Sequence, residues 1–319
     1  MISAFSNKEE HKGRGSMAKR KLDGIFVPHI TPFKRDGSLD EKALRTCVRF
    51  WLENGISGLV SCGSNGEAPY LSREERKKVI ETVMDEVSEK TIVIAGTGSI
   101  STRETILFTK DAKDAGVDAA LVVTPFYFKL SNKEVLKHYE ALLNAVDLPI
   151  ILYSVPKFTG YTLEPNLIQQ LASEHENVIG VKDSSGNFGA ITETIRLVGN
   201  KISVLAGTAE VTLPTLIVGG SGGVIAVANV FPRLCNELYG SFKRGNYEKA
   251  GKLQRQISHI NEILVKKYNQ LSSIKEALNI LGLPAGYPRM PSLPLDKENR
   301  KEIEALVKNL STLPLHGKN

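Results

Sequence analysis

Short apolar runs alternate along the chain with amphipathic stretches. The runs are rich in Val, Ile, Ala and Gly, which is typical of strands buried on both faces of a parallel sheet. They predict eight strands, at 24–31, 58–63, 91–97, 119–125, 149–156, 178–184, 202–208 and 223–230. The stretches between them predict helices, for example at 40–53, 72–87, 102–115 and 132–145. Asp40, Ser72 and Ser101 stand at helix starts, where their side chains can cap the first turn.

Eight repeats of a strand followed by a helix predict an α/β fold, a closed (β/α)8 TIM barrel over residues 22–232. A doubly wound sheet is the alternative, but it rarely contains so many regular units in one domain. After Pro232 the pattern changes to helices alone, at 234–242, 247–268, 273–281 and 296–309, interrupted by a Pro-rich connector at 283–294. We expect a C-terminal helical region over 233–319 that packs on the barrel or forms a subunit interface.

The positive charge of the chain is concentrated at its start. The formal net charge is +6, yet residues 1–21 contain six Lys or Arg and only two Glu, so the rest is nearly neutral. We interpret 1–21 as a disordered tail, with Met17 as a possible natural start. Because no basic stripe continues into the barrel, neither nucleic acid nor a membrane is an expected partner. No apolar run approaches the length of a membrane span.

The composition favours a cytoplasmic protein without a bound cofactor. The start of the chain lacks the apolar core of a secretory signal, and three cysteines without paired spacing suit a reducing compartment. No spacing typical of a metal site is present. A Gly-rich segment at 96–101 follows a strand and opens a helix, but it lacks the third glycine of a dinucleotide-binding fingerprint. We therefore expect neither a metal nor a dinucleotide.

Lys182 is the most informative single residue. It lies in the apolar run 178–184, so its strand is expected to be buried. A lysine is rarely buried without a partner, and burial favours the neutral amine, which can attack a ketone to form a Schiff base. The alternative is a lysine at a strand end whose ammonium group reaches solvent. The residues at the other strand ends decide whether Lys182 is interpreted as an imine-forming lysine or as one that reaches solvent.

Three further strand ends carry polar or aromatic groups. The second strand runs into the turn GSNGE at 63–67, whose amides and Ser64 hydroxyl can hold a carboxylate. The fourth ends at Tyr127 and the fifth at Tyr153. Because parallel strands are about 4.8 Å apart, Tyr153 can meet Lys182 at the catalytic rim of a barrel and move protons for it. For either tyrosine alone, packing at the rim is the simpler role.

Four motifs together resemble the dihydrodipicolinate synthase/N-acetylneuraminate lyase superfamily over about residues 22–310. They are GSNGE at 63–67, TPFY at 124–127, LYSVP at 152–156 and GVKD at 180–183. The resemblance implies a pyruvate-type imine on Lys182, with Tyr153 as acid and base. It also implies 2-oxo acid binding by Ser64, Asn65 and the backbone near Val224. It further implies a homotetramer, a dimer of dimers, in which Tyr127 crosses an interface to complete a proton relay.

Departures from the family pattern bear on the second substrate. Phe158 stands where synthases of this family have an arginine for the aldehyde's carboxylate, and a phenyl ring cannot bind that group. Lys157 is adjacent, but we expect it on the opposite side of an extended chain. The strand-7 end, AGTA at 206–209, lacks the acidic residues typical of sugar-acid lyases. The motifs look most like those of 4-hydroxy-2-oxoglutarate aldolases.

We therefore expect reversible aldol cleavage of a 4-hydroxy-2-oxo acid to pyruvate and an aldehyde. The alternative reaction is 4-hydroxy-tetrahydrodipicolinate synthesis from pyruvate and aspartate semialdehyde. A non-catalytic barrel that binds a keto acid is an alternative from another class. The expected ligands are thus a small 2-oxo acid and an aldehyde.

Overall fold

The computed structural model describes residues 21–88 and 91–311. Its eight strands all lie within or overlap the predicted runs. They are β1 Gly24–Pro28, β2 Gly58–Ser61, β3 Ile92–Gly96, β4 Ala119–Val123, β5 Ile150–Ser154, β6 Val178–Asp183, β7 Ser203–Ala206 and β8 Gly222–Val224. The helices are α1 Glu41–Glu53, α2 Arg73–Glu86, α3 Thr102–Asp114, α4 Asn132–Ala145, α5 Pro156–Thr159, α6 Pro165–Glu174, α7 Phe188–Val198, α8 Thr212–Ile217, α9 Pro232–Lys243, α10 Tyr247–Asn261, α11 Gln270–Ile280 and α12 Lys297–Ser311.

The strands form a closed parallel barrel in chain order, which confirms the predicted fold class. Closure is completed by β1 and β8, whose residues Gly24 and Gly222 are direct partners. A Cβ atom on Gly222 would lie 2.0 Å from the carbonyl oxygen of Gly24, so only glycine permits this approach. The strands are shorter than the predicted runs, because those runs include loop residues at the carboxyl ends of the strands.

Two apolar clusters stabilise the barrel. The inner cluster fills the lumen with residues such as Phe26, Ile94 and Leu205. The outer cluster packs the strands against the helices, and Trp51 of α1 lies fully buried within it. The predicted caps mark the helix starts: Asp40 accepts from the amide of Ala43, and Ser72 forms a capping box with Glu75. This packing fixes the strand ends that carry the candidate site.

The C-terminal helices lie against the barrel. α9 packs on β1 and on α10, and α11 packs against the short 3₁₀ segment Ala226–Asn229 that follows β8. Between α10 and α11 the chain forms a π-helical segment, Glu262–Lys267, where we predicted one continuous helix to 268. Residues 1–20 of the predicted tail lie outside the described residues. No helix within 21–88 and 91–311 is both long and apolar enough to cross a bilayer.

The stability of this fold is expected to depend on pH through buried histidines. His29 is fully buried; its Nδ1 donates to the carbonyl of Ile30, and its Nε2 accepts from the hydroxyl of Ser61. Burial lowers its pKa from 6.5 to about 4, and burial also lowers the pKa of His138 to about 4. The unfolded chain therefore binds more protons between these values, and stability falls as pH decreases from 6.5 towards 4.

We expect the free energy of unfolding to fall by about 3 kcal/mol between pH 7.5 and pH 4 through His29 alone. Urea unfolding at both pH values measures this loss. His29→Gln should lose less stability on acidification than the wild type, whereas His259→Gln, which changes an exposed histidine, should not differ from it. An equal loss of stability in His29→Gln and the wild type would contradict the assignment.

Candidate active site

Lys182 and Tyr153 meet at the carboxyl end of the barrel. They are direct partners in the ladder between β5 and β6, so their side chains point to the same side. The Nζ atom of Lys182 lies 4.2 Å from the centre of the Tyr153 ring. Both residues are buried, with Lys182 only 4% exposed. The strand-end lysine therefore does not reach solvent, and an amine and a phenol face each other in a site shielded from water.

The surroundings of Tyr153 shift its acidity. Burial by itself raises the pKa of the phenol, but the charge of Lys182 lowers it, and so do the nearby hydroxyl groups of Ser184 and Ser64. The net result is a pKa below the usual value for tyrosine. A phenol with a lowered pKa exchanges protons with a neighbouring amine more readily than an ordinary tyrosine. The pair can therefore transfer a proton between nitrogen and oxygen.

A cavity of about 400 Å³ opens beside this pair. Its lining includes predicted site residues from the ends of four strands: Ser64 and Asn65 after β2, Tyr153 on β5, Lys182 on β6 and Val224 on β8. The Oδ1 atom of Asn65 accepts a hydrogen bond from Gln270 of α11, which leaves the amide NH₂ of Asn65 free to donate elsewhere. The turn can thus offer a hydroxyl and an amide donor to an anion.

A second cavity, of about 520 Å³, adjoins the first along Tyr153 and Val155. Lys157 and Phe158 line both cavities, and Phe158 is 50% exposed. Our expectation that Lys157 lies opposite Phe158 is wrong. Residues 156–159 form the single helical turn α5 and not an extended strand, so consecutive side chains diverge by about 100° instead of 180°. The Nζ atom of Lys157 lies 5.5 Å from the Phe158 ring centre.

Tyr127 is not part of these cavities in the single chain. It is 86% exposed, its φ of 82° is in the left-handed region, and its ring packs edge-on against Phe128 at 5.0 Å. Phe126, its neighbour, lines the larger cavity instead. Within one chain, Tyr127 therefore points away from Lys182.

Several residues at the site were not predicted from the sequence. Gln270 lines both cavities from the C-terminal region, and Glu210 lines the smaller one, one residue beyond the strand-7 end that we read as lacking acids. Its carboxylate pairs with Lys266. Lys275 is buried against Glu67. Lys275 lies between Leu271 and Leu278 on one face of the helix. A lysine within such an apolar stripe could have identified it from the sequence as a buried residue.

The residues described here include no cluster of three or more His, Cys, Asp or Glu side chains placed to hold a metal ion. The three cysteines, Cys47, Cys62 and Cys235, are free and buried. Burial raises the pKa of the Cys62 thiol to about 12, so it stays protonated although it borders the larger cavity.

The chain is similar to known proteins over most of its length. Residues 21–310 match the model of the dihydrodipicolinate synthetase family. The chain is 40% identical over 291 residues to 4-hydroxy-tetrahydrodipicolinate synthase of Methanothrix thermoacetophila, covering 91% of this chain and 97% of the relative.

Solved structures are similar as well, and two of them contain pyruvate. One is a prophage protein of E. coli K12 from the dihydrodipicolinic acid synthase family, in complex with pyruvate (TM-score 0.88, 30% identity, 92% and 99% of the two chains). The other is the dihydrodipicolinate synthase of Acinetobacter baumannii, complexed with pyruvate (TM-score 0.88, 34% identity, 92% and 100%).

Proposed function

This chain belongs to the dihydrodipicolinate synthetase family, and on that premise we propose that it is a lyase that forms a Schiff base between pyruvate and Lys182. The observation that carries the proposal is the buried pair of Lys182 and Tyr153, side by side at the catalytic end of the barrel. The pyruvate complexes of two similar structures support pyruvate as the keto acid. A barrel that only binds a keto acid would need neither residue to react.

The proposed steps follow from the two side chains. Tyr153, in its deprotonated form, accepts a proton from the Lys182 ammonium, and the free amine attacks the carbonyl carbon of pyruvate. Tyr153 then returns this proton to the former carbonyl oxygen and carries a second proton from the attacking nitrogen to the same oxygen, which leaves as water when the imine forms. Tyr153 takes a proton from the pyruvate methyl group to give an enamine. The enamine carbon attacks an aldehyde, and the aldehyde oxygen takes this proton from Tyr153. Ser64 and Asn65 hold the pyruvate carboxylate during these steps. The reaction needs no cofactor besides the covalent imine.

We propose aspartate semialdehyde as the second substrate. This is the substrate of the alternative reaction considered in the sequence analysis. The relatives named 4-hydroxy-tetrahydrodipicolinate synthase favour it over aldol cleavage. The carboxylate of this aldehyde needs a cation, and Lys157 lines both cavities while making no ion pair among the described residues. The α-amino group of the aldehyde then attacks the imine carbon, closing the ring and releasing Lys182.

A second candidate is reversible cleavage of a 4-hydroxy-2-oxo acid, our first expectation. Phe158 favours it, because this half-exposed ring lines the space beside the imine where a carboxylate would otherwise be bound. The two reactions share the imine and differ in the group that the rim must hold. The ratio of kcat/KM for the two substrate types therefore separates them.

Lys157→Gln is expected to lower kcat/KM for aspartate semialdehyde by about 10- to 100-fold, because one charge-assisted hydrogen bond is lost. Phe158→Arg should raise it by supplying a bidentate donor. Steady-state assays at saturating pyruvate measure both effects, and Lys201→Gln, an exposed lysine outside both cavities, is the matched control. If wild-type enzyme instead releases pyruvate from 4-hydroxy-2-oxo acids more efficiently, aldol cleavage is the better assignment. If Lys157→Gln matches the wild type, Lys157 does not hold the carboxylate.

We propose further that the working enzyme is a homotetramer in the cytoplasm. Tyr127 and Phe128 form an exposed aromatic pair, which a second copy could cover while bringing Tyr127 to a neighbouring site. Three free cysteines are compatible with a reducing compartment. Sedimentation of the full chain, compared with Tyr127→Ala, tests whether this surface mediates assembly.

A further inference from the structure

The turn that lines the keto-acid cavity is held by α11 of the C-terminal region. Gln270, the first residue of α11, donates to the side chain of Asn65. Lys275, in the middle of α11, has its Nζ atom 2.5 Å from Oε1 of Glu67, the last residue of the turn. The start of the helix is itself fixed, because Asn269 caps it by accepting from two backbone amides. One rigid helix therefore contacts both a lining residue of the turn and its end.

Lys275 and Glu67 form an enclosed ion pair. Their side chains are 1% and 0% exposed, and the second oxygen of Glu67 accepts from the backbone amide of Arg289 at 2.8 Å. Lys275 also donates to the carbonyl of Tyr287 at 2.7 Å and lies 4.4 Å from the centre of the Phe33 ring. Buried charges are costly, and such a pair is often no more stable than apolar residues of equal volume. Its arrangement therefore points to a role other than stability alone.

The backbone of the turn adopts an unfavourable conformation. Cys62, just before it, and Glu67, at its end, have φ values of 52° and 56°, in the left-handed region that residues other than glycine rarely adopt. Such residues persist where surrounding contacts hold them, and they occur preferentially at functional sites. The contacts that hold Glu67 come from Lys275 and Arg289, outside the barrel strands. The shape of the turn thus depends on the C-terminal region.

Gln270 determines which group Asn65 presents to the cavity. Because the Gln270 amide occupies Oδ1 of Asn65, the NH₂ group of Asn65 is left for a ligand. The opposite orientation would place a carbonyl oxygen beside a bound carboxylate and repel it. The Ser64 hydroxyl lies on the same turn, so a shift at Glu67 would move both donors.

We propose that Lys275 is a positioning residue for the keto acid: through Glu67 it fixes the turn so that Ser64 and Asn65 meet the carboxylate, while Gln270 orients the Asn65 amide. This inference rests on the proposed function, in which the turn binds pyruvate. Lys275 does not line either cavity and does not take part in the chemical steps. Its loss should therefore weaken pyruvate binding more than it slows the reaction of bound pyruvate.

The test is the pyruvate concentration that gives half-maximal rate of borohydride trapping on Lys182, followed by mass spectrometry. This measurement does not depend on the identity of the aldehyde. For Lys275→Met we expect at least a 10-fold higher half-saturating pyruvate concentration, with the rate at saturation within about 3-fold of wild type. This pattern is expected when a substitution weakens binding equally in the ground state and the transition state. Gln270→Glu, which cannot donate to Asn65, should show the same change.

The double variant Glu67→Gln/Lys275→Met separates positioning from stability. It removes both charges, so no unpaired charge is left buried, and it is expected to fold even if Lys275→Met alone does not. Wild-type thermal stability with a raised half-saturating concentration supports the proposal. Normal pyruvate saturation in the folded double variant would overturn it.

A control variant and the wild type complete the design. Lys267→Met removes a partly exposed lysine that pairs with Glu302 at 2.6 Å outside both cavities, and it should saturate like the wild type. If the wild type is not trapped on Lys182, the proposed function fails. If the wild type is trapped but the double variant saturates normally, only the role of Lys275 fails.

Discussion

Borohydride added together with pyruvate is expected to attach a reduced pyruvyl group to Lys182 and to no other lysine. The reason is the environment of its amine, which is buried, faces a phenol that can take its proton and opens on a cavity of about 400 Å³. Lys182→Ala should abolish the label and lower turnover by about 10⁴-fold or more, as removal of a covalent nucleophile typically does. Peptide mass spectrometry locates the label.

Two controls make the trapping experiment specific. Lys249→Ala, which removes a surface lysine paired with Glu237, should be labelled as the wild type is. Borohydride without pyruvate should leave Lys182 unmodified. Label on Lys157 or Lys266, the other lysines that line the smaller cavity, would show that the imine forms elsewhere and that the proposed mechanism is wrong.

Replacing Tyr153 by Phe is expected to lower kcat by about 10²- to 10⁴-fold, the range for a positioned acid–base group. The ring and its contact with Lys182 would remain, so the variant loses proton transfer through the hydroxyl while its packing stays nearly unchanged. The rate of imine trapping should fall with kcat, because the same phenol serves carbinolamine formation. Turnover close to that of the wild type would remove Tyr153 from the mechanism.

Tyr127→Phe provides the comparison. Because Tyr127 points away from the cavities of its own chain, it should affect kcat less than Tyr153→Phe unless a second copy brings its hydroxyl to the site. Measuring kcat for Tyr127→Phe across a dilution series that dissociates the assembly distinguishes these cases.

The order of strands and the chemistry at their ends were predictable from the sequence. Runs such as 178–184 are apolar throughout because a parallel barrel covers both faces of each strand, and this periodicity is a local property. The same periodicity put Tyr153 and Lys182 at neighbouring strand ends, where the structure has them as ladder partners. The strand-end motifs pointed to the family for the same reason: each is a short contiguous segment. The finer prediction ranked aldol cleavage above the synthase reaction, whereas the relatives favour the synthase reaction.

Contacts between distant segments needed the tertiary structure. Lys157 could not be oriented from the sequence, because whether residues 156–159 form a strand end or a helical turn depends on the loops packed around them. Gln270 and Asn65 are 205 residues apart, and no local pattern links them. The sequence by itself determined the barrel and the position of Lys182 on a buried strand, because both follow from the local hydrophobic pattern. Only the tertiary structure decided which distant side chains hold the turn at 63–67, because burial and charge pairing across the chain depend on how its helices dock.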